Sequence, residues 1–471
     1  MTETLHAKVL IVGGGPGGYV AAIRAGQLGL EPVLVEADRL GGTCLIRGCI
    51  PSKALIHAAE RFEATRRYSQ GGSALGIDVG AAPTIDLSRT LAWKNGIVGR
   101  LEGGVAALLK RAGARVLAGR AVFSDAKTCQ VASAEGEIRI TAESVVLATG
   151  SLPVELPNLP FGGPVISSSE ALDLPAAPER LAVVGAGYIG LELGSAFAKI
   201  GSHVEVVEAL DRILPQFDAE LAAPVAKSLQ RMGIKVHLKA RAKGLAKGGK
   251  GHRLLFEDEA GKERAIEADA NLVTVGRRPN TEGWGLEAMA VDLAGSFVKI
   301  DDQCRTSMRG VFAIGDLTGE PMLEHRAVAQ GEMVAEIIAG ARRRFDPAAI
   351  PAVCFTDPEI ATCGLSPDGA KAAEIEVLVG VFPLAANGRA RTLETADDGG
   401  FVRVVARADD HRLIGAQAVG AQVSELSAEF SLALEMGALL EDIAATVHVH
   451  PTLSEAFHEA ALRALGHPIH I

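Results

Sequence analysis

The segment KVLIVGGGPGG, residues 8–18, joins a short apolar run to a glycine-rich turn. The apolar run has the length of a β-strand, and residues 19–28 after the turn have a helical pattern. A second apolar run at 32–35 follows and ends in Glu36. A strand, a glycine turn, a helix and a second strand make a βαβ unit, so the sequence predicts an α/β fold with a parallel sheet.

The same pattern occurs a second time. Residues 181–184 form an apolar run, GAGYIG follows at 185–190, and a helix is expected up to Ile200. A further apolar run ends in Glu208, which lies 18 positions after the last glycine, as Glu36 does in the first copy. One glycine triplet would be weak evidence, but two copies in register predict two dinucleotide-binding units in one chain.

Each glycine of these patterns has its own task. The first makes a tight turn, the second lets the backbone approach a pyrophosphate, and the third allows close packing of the helix on the strand. They are Gly13, Gly15 and Gly18 in the first copy and Gly185, Gly187 and Gly190 in the second. Free N–H groups at the helix N-terminus bind phosphates, and the acidic residue accepts hydrogen bonds from a ribose diol. Because a carboxylate repels a 2′-phosphate, Glu208 favours NAD over NADP, and we expect nearby Arg212 to form a surface ion pair.

Composition excludes several classes of protein. A chain of 471 residues suggests about three domains. Its net charge of −10 and its 4% aromatic residues disfavour a nucleic-acid binder. The uncharged run 9–23 is too short and too rich in glycine to span a membrane, and the N-terminal residues do not resemble a signal peptide. We therefore expect a cytoplasmic protein with neither nucleic acid nor membrane as a partner.

Two cysteines stand apart from the rest. Four cysteines have apolar neighbours typical of core positions; they are Cys129, Cys304, Cys354 and Cys363. Cys44 and Cys49 are five positions apart, which in an ideal helix separates Cα atoms by about 8–9 Å, whereas a disulfide needs less than about 7 Å. If they are bonded, the segment must be a distorted turn, which Gly48 and Pro51 permit.

Lys53 and a helix N-terminus near Cys49 would favour a thiolate there. Two buried free cysteines, or half of a metal site, are the alternatives. A metal site is disfavoured because the spacing is unusual and further Cys or His partners are missing nearby. The residues therefore favour a redox-active pair, and we expect no metal.

The string GGTCLIRGCIPSK, residues 41–53, closely resembles the FAD-dependent disulfide oxidoreductases, and within them the dihydrolipoamide dehydrogenases. Further motifs agree with this resemblance in the expected order along the chain. They are ATG at 148–150, VGRRPN at 275–280, the stretch Thr306–Asp316, and HVHPTLSE at 448–455. The nearest likeness is to the form that serves branched-chain 2-oxoacid complexes.

The resemblance implies two Rossmann-like nucleotide-binding domains and a C-terminal α+β dimerisation domain. The FAD-binding domain would comprise 1–150 and 276–347, and the NAD-binding domain 151–275. A proline-rich crossing at 151–178 agrees with this division. Residues 348–471 would form the interface of an obligate homodimer.

The resemblance also implies roles for individual residues. Cys44 would exchange with a dithiol substrate, Cys49 would be the thiolate in contact with the flavin, and Lys53 and Glu192 would form an ion pair near flavin N5. The implied FAD-binding positions are Gly13, Gly15, Gly18, Glu36, Thr43, Lys53, Thr149, Gly150 and Asp316. The implied NAD-binding positions are Gly185, Gly187, Gly190, Glu208 and Gly276.

A base is expected near the C-terminus. A dithiol must lose a proton before it attacks a disulfide, and imidazole is the natural base at neutral pH. By resemblance this base is His450 of the partner subunit, with Glu455 orienting its ring as a carboxylate does in a hydrolase triad. Thr452 and Glu455 also fit a helix capping box, which would leave Glu455 purely structural. His448 would share a face with His450 and is the competing candidate.

The expected activity is oxidation of dihydrolipoyl groups on the carrier domain of a 2-oxoacid dehydrogenase complex, with dihydrolipoamide as the small-molecule equivalent and NAD⁺ as acceptor. A reductase of another small disulfide and a non-catalytic flavin-bearing subunit are the alternatives. Glu208 disfavours the first, and the intact cysteine and histidine set disfavours the second. Three residues depart from the usual family pattern: Ile46 replaces Asn, Glu324 replaces Ala, and Val449 replaces Ala.

Overall fold

The first sheet is built on the predicted βαβ unit. The structure, a computed structural model, describes residues 3–71, 73–133, 136–248 and 251–471. The parallel part of the sheet has the order Arg115–Ala118, Val33–Glu36, Glu3–Val12, Gly136–Leu147 and Val311–Ala313, and Thr128–Ser133 and Arg120–Phe123 extend it antiparallel from Gly136–Leu147. The associated helices are Pro16–Gln27, Cys49–Ser69, Leu87–Arg111 and Glu324–Ile338. Because Val311–Ala313 joins this sheet, residues after the second βαβ unit complete the first domain.

The second βαβ unit forms a smaller parallel sheet. Its strand order is Lys235–His237, His203–Val207, Arg180–Val184, Ala270–Val273 and Val165–Ile166. Its helices are Ser168–Ala171, Tyr188–Lys199 and Ala219–Arg231. An antiparallel sheet of Arg241–Lys247, His252–Glu257 and Glu263–Ala268 is appended to it. The two chain crossings between the domains lie side by side, since Ser151–Pro153 pairs with Arg277–Pro279.

The C-terminal part is an antiparallel sheet with helices, as predicted. The strand order is Ala352–Cys354, Glu359–Gly364, Leu413–Gly420, Phe401–Arg407 and Val377–Pro383. Its helices are Pro367–Ala372, Gly388–Thr392, Ser427–Glu435, Leu440–Ala445 and Glu455–Ala464. A core centred on Phe382, Phe430 and Phe457 lies between the sheet and the helices. In the part of the chain that the structure describes, no helix is both long and apolar enough to cross a membrane.

Short elements connect these layers. A two-stranded ribbon pairs Leu293–Ala294 with Phe297–Val298. The 3-10 turns are Leu286–Met289, Gly315–Thr318, Leu384–Ala386, Ala396–Asp398 and Val423–Leu426.

Four cysteines are confirmed as core residues. Cys129, Cys304, Cys354 and Cys363 are free and buried. Burial raises the pKa of the Cys129, Cys304 and Cys354 thiols to about 12. Since the thiolate is the reactive form, these side chains are chemically inert at neutral pH.

Arg403 links the second and third domains and is almost completely buried, with 2% exposure. Its Nε donates to Gln417 Oε1 at 2.8 Å, and Nη1 donates to Glu220 at 2.8 Å. Nη2 forms an ion pair with Asp218. Asp218 is the N-cap residue of the helix Ala219–Arg231 and Glu220 lies in its first turn, whereas Gln417 lies on the strand beside Arg403. The guanidinium therefore ties the second domain to the C-terminal sheet.

We predict that Arg403→Ala lowers the free energy of unfolding by about 3–5 kcal/mol, because it leaves the largely buried Asp218 carboxylate without its counter-charge. Urea unfolding followed by circular dichroism measures this. Arg407→Ala is the matched control, because Arg407 lies on the same strand in an exposed pair with Asp409 and should leave the midpoint unchanged. Equal midpoint shifts for the two variants would contradict the assignment.

Candidate active site

The first and third glycines of both patterns are required by backbone geometry. Gly13 and Gly185 have φ of +105° and +102°, which side chains other than glycine rarely adopt. A Cβ atom at Gly18 would lie 1.8 Å from the carbonyl oxygen of Gly13, and one at Gly190 would lie 2.3 Å from that of Gly185. The third glycine therefore lets each helix pack directly on its own turn.

The second glycine of each pattern faces open space. A Cβ atom at Gly187 would have no neighbour within 4 Å, and one at Gly15 would meet only Gly42 Cα at 3.8 Å. Each of these glycines lines a separate cavity. The open space lies at the helix N-terminus, where free N–H groups bind a diphosphate. This geometry fits a dinucleotide in both cavities.

The two acidic residues have equivalent hydrogen bonds. Glu36 accepts from the N–H of Gly14 at 2.5 Å and from that of Asp38 at 2.8 Å. Glu208 accepts from Ala186 at 2.6 Å and from Leu210 at 2.8 Å. Burial raises the pKa of Glu36 despite the opposing hydrogen bond from Gly14. Both carboxylates are thus held beside the glycine turns and line the two cavities.

Arg212 has no ion-pair partner among the residues that the structure describes. Its guanidinium donates instead to the carbonyl oxygen of Pro215 at 2.8 Å. A carbonyl three residues ahead satisfies the donor locally, so the prediction of a carboxylate partner was wrong.

Cys44 and Cys49 form a disulfide, with Cα atoms 4.7 Å apart. The expected distorted turn is a π-helical turn, Thr43–Arg47, followed by Gly48. A Cβ atom at Gly48 would lie 2.8 Å from the carbonyl oxygen of Thr43, so glycine is needed where the turn tightens. Cys49 is the first residue of the helix Cys49–Ser69. Both cysteines line the cavity that also contains Gly15.

Lys53 and Glu192 meet beside the disulfide across 139 sequence positions. Lys53 Nζ donates to Glu192 at 2.9 Å, and the second carboxylate oxygen accepts from the N–H of Phe355 at 2.8 Å. Lys53 Nζ also lies 4.5 Å from the centre of the Phe355 ring. Glu192 is only 3% exposed, so its two partners hold the lysine at a defined place in the cavity.

Other predicted positions gather around the same cavity. Thr43, Thr149, Gly150 and Asp316 line it. The Thr149 hydroxyl donates to the carbonyl oxygen of Asn280 at 2.9 Å, which joins two of the motifs. Gly276 lines the second cavity instead, together with Gly185, Gly187 and Glu208. Gly190 packs beneath the turn and is not among the lining residues.

Sequence reasoning missed Ser151, Arg277 and Tyr188. The Ser151 hydroxyl donates to Asp316 at 2.5 Å and accepts from Arg277 Nε at 2.8 Å. Tyr188 and Arg277 line both cavities, and burial raises the pKa of Tyr188 to about 12. Arg277 lies in VGRRPN and Tyr188 in GAGYIG, so the motifs contained both, but their side-chain contacts depend on the tertiary fold.

His450 and Glu455 form a hydrogen-bonded pair. His450 Nδ1 lies 2.9 Å from one oxygen of Glu455, and the other oxygen accepts from the N–H of Thr452 at 2.8 Å. Burial opposes ionisation of Glu455, but these hydrogen bonds outweigh it and hold its pKa below the usual value. The carboxylate therefore both orients the imidazole and satisfies backbone near the helix start. The structure shows both contacts, and the role of Glu455 in orienting a catalytic base stays a prediction.

The two late histidines differ in environment. His448 Nε2 lies 2.8 Å from Glu429, and its side chain is only 6% exposed. The His450 side chain is 78% exposed. His450 is not among the described residues that line the disulfide cavity of its own chain. The exposed position of His450 suits contact with another subunit, whereas His448 is buried and already paired with Glu429.

Exposed apolar side chains directly precede the exposed histidine in the sequence. Val447 and Val449 are 94% and 71% exposed. Large apolar groups in water are unfavourable, and clusters of them mark interaction surfaces. The C-terminal part therefore has a candidate interface that includes His450.

The sequence matches the family "Pyridine nucleotide-disulphide oxidoreductase" over residues 7–331 and the dimerisation domain of that family over 350–461. The chain belongs to this family, whose members use FAD and a pyridine nucleotide.

Its relatives define a narrower group. The chain is 60% identical over 472 residues to the dihydrolipoyl dehydrogenase of Pseudomonas aeruginosa, with 100% of both chains covered. It is 44% identical to the dihydrolipoyl dehydrogenase of Geobacillus stearothermophilus, covering 99% of this chain and 98% of the relative. The crystal structure of LpdA from Mycobacterium tuberculosis matches with a TM-score of 0.87 and 29% identity, covering 98% and 99% of the two chains.

We predict that Glu208→Gln reduces the preference for NADH over NADPH by about tenfold, because it removes the charge that binds the ribose diol and repels a 2′-phosphate. Dissociation constants from protein fluorescence titration measure the preference. Glu205→Gln is the matched control: Glu205 lies on the strand that ends just before Glu208, but it pairs with His237 and does not line the cavity. An unchanged preference in Glu208→Gln would exclude this role for Glu208.

Proposed function

We propose that the protein oxidises protein-bound dihydrolipoyl groups to lipoyl groups, with NAD⁺ as the electron acceptor. The observation that carries this proposal is the Cys44–Cys49 disulfide at a dinucleotide cavity. The full-length similarity to dihydrolipoyl dehydrogenases supports the substrate class.

The chemistry begins with thiol–disulfide exchange. A substrate thiolate attacks Cys44 Sγ, forms a mixed disulfide and releases Cys49 as a thiolate. The second substrate thiol then attacks the substrate sulfur of the mixed disulfide, which forms lipoyl and releases Cys44. Two electrons thereby move from the dithiol to the cysteine pair.

The protein supplies the groups that make this exchange possible at neutral pH. The partner subunit's His450 accepts the proton of the substrate thiol, with Glu455 stabilising the cation. Cys49 begins a helix and has Lys53 one turn later, and both features favour its thiolate. The Lys53–Glu192 pair holds the lysine in the cavity.

The remaining electron transfer needs both cofactors. Glu36, Thr43, Asp316 and the first glycine turn would hold FAD, and Glu208 with the second glycine turn would hold NAD. Bound FAD would supply a two-electron carrier between the Cys49 thiolate and NAD⁺. The net reaction converts a dihydrolipoyl group and NAD⁺ into lipoyl, NADH and a proton.

Subunit organisation follows from the dimerisation domain, which supports a homodimer. We propose that the lipoyl carrier domain of a 2-oxoacid dehydrogenase complex is the substrate-bearing partner, and that the enzyme acts in the cytoplasm. A reductase of another small disulfide is not favoured, since Glu208 opposes NADPH. A non-catalytic subunit is not favoured, since the disulfide and the histidine–glutamate pair are both formed.

We predict that Cys49→Ser retains FAD and the dimer but loses turnover of dihydrolipoamide, because neither exchange with Cys44 nor electron transfer to the flavin is then possible. NADH formation by the purified variant measures this, and its visible spectrum reports bound FAD. Cys363→Ser is the matched control: it alters a cysteine that is buried far along the chain in the C-terminal domain, and it should remain active. Turnover near the wild-type rate in Cys49→Ser would exclude the mechanism.

We also predict that two inactive variants complement each other when mixed subunits form heterodimers. A dimer of one Cys49→Ser subunit and one His450→Gln subunit contains one intact site if His450 acts across the interface, so about half of the wild-type activity should return. A subunit with both substitutions, paired with a wild-type subunit, should give an inactive dimer. Activity in the second dimer and none in the first would show that His450 acts within its own chain.

A further inference from the structure

Glu324, which departs from the family pattern, lies in the disulfide cavity. It is the first residue of the helix Glu324–Ile338 and lines the cavity together with Cys44 and Cys49. Its side chain is partly buried. Among the residues that the structure describes, no hydrogen bond or ion pair involves its carboxyl group. A carboxyl group that is partly removed from water without a partner is costly in its charged form.

The other charged groups in this cavity have partners. Lys53 is paired with Glu192, and Asp316 accepts from Ser151. Glu36 accepts two backbone N–H groups. Among the described residues, Glu324 therefore differs from its neighbours in having no hydrogen-bond or ion-pair partner, and only the helix N-terminus and His325 favour its charged form.

The surroundings of Glu324 favour its neutral form. Burial raises its pKa, and the nearby His325 only partly opposes this. Burial and the charge of Glu324 together raise the pKa of Tyr19, on the helix packed against it. His325 bonds to the carbonyl oxygen of Pro351 instead of to Glu324. The charged and titratable groups on the elements packed around it are Tyr19, Arg24, Asp316, Glu320, His325, Arg326, Glu332 and Glu336.

None of these groups pairs with the carboxylate, and the charge of His325 compensates it only in part. Arg326 donates to the carbonyl oxygens of Gly319 and Pro321, and Arg24 is paired with Glu336. Occupation of the cavity by FAD would remove more water from Glu324 and would add two phosphate charges. Both changes stabilise the protonated carboxyl group further.

We propose that Glu324 takes up one proton when FAD binds, and that its neutral carboxyl group then faces the cofactor as a hydrogen-bond donor. The proposal rests on the FAD site proposed above. It also explains how this chain accepts a glutamate where the family usually has alanine, because the bound form carries no buried charge.

The sign of the pH dependence follows from this linkage. Glu324 has a higher pKa in the FAD complex than in the free protein, so binding consumes a proton. FAD affinity is therefore full at a pH below the pKa of the free protein and falls as the pH rises above it. The decrease is up to about tenfold per pH unit until the pH exceeds the pKa of the complex.

The test uses full-length apoprotein titrated with FAD from acidic to mildly alkaline pH. Quenching of FAD fluorescence gives the dissociation constant, and calorimetry in two buffers with different ionisation enthalpies gives the number of protons taken up. Glu324→Gln removes the titrating group with little change in shape. Glu332→Gln is the matched control, since Glu332 is exposed on the same helix.

The wild type and Glu332→Gln should each take up about one proton more than Glu324→Gln does, and only Glu324→Gln should lack the corresponding decrease in affinity. If Glu324→Gln binds no FAD, Glu324→Ala replaces it as the neutral variant. Equal proton uptake in the wild type and the neutral variant would overturn the proposal while leaving the function intact. A wild-type protein that binds no FAD would overturn the proposed function as well.

Discussion

The chemistry of this protein depends on direct backbone contact between two glycine segments. Gly41 N–H donates to the carbonyl oxygen of Gly14 at 2.8 Å. A Cβ atom at Gly42 would lie 2.6 Å from Gly15 Cα. No larger residue permits this approach, which fixes the start of the π-helical turn beside the dinucleotide turn. The disulfide that follows is thereby held at the cavity where a bound cofactor could exchange electrons with it.

The proton-transfer group is separated from this centre. His450 lies in the C-terminal domain, exposed, with its ring oriented by Glu455. In the proposed mechanism the active site is complete only when a second subunit brings its histidine to the disulfide. We propose that dimerisation and catalysis depend on the same surface, where Val447 and Val449 are exposed apolar side chains. Burial of these side chains would stabilise the dimer.

Local patterns predicted the elements well because their causes are local. The βαβ units follow from apolar runs, glycine turns and acidic strand ends, and both appear with equivalent hydrogen bonds at Glu36 and Glu208. Chain geometry predicted a distorted turn between Cys44 and Cys49 on the condition that the two cysteines are bonded. The prediction for Arg212 was wrong because a nearby carbonyl competes with distant carboxylates, and local sequence does not rank these partners.

The sequence by itself determined the two dinucleotide units and singled out the two cysteines, and through family resemblance it predicted a set of candidate active-site residues. Only the tertiary structure decided which distant side chains meet. Ser151 donates to Asp316 and accepts from Arg277, and Arg403 ties two domains together. Glu324 lies in a cavity without a hydrogen-bond or ion-pair partner among the described residues. Residue spacing along the chain specifies turns and the apolar faces of helices and strands, because these depend on backbone geometry over a few residues. Long-range pairing and desolvation depend on how whole sheets and helices pack, and this packing sets the charge that each group can carry.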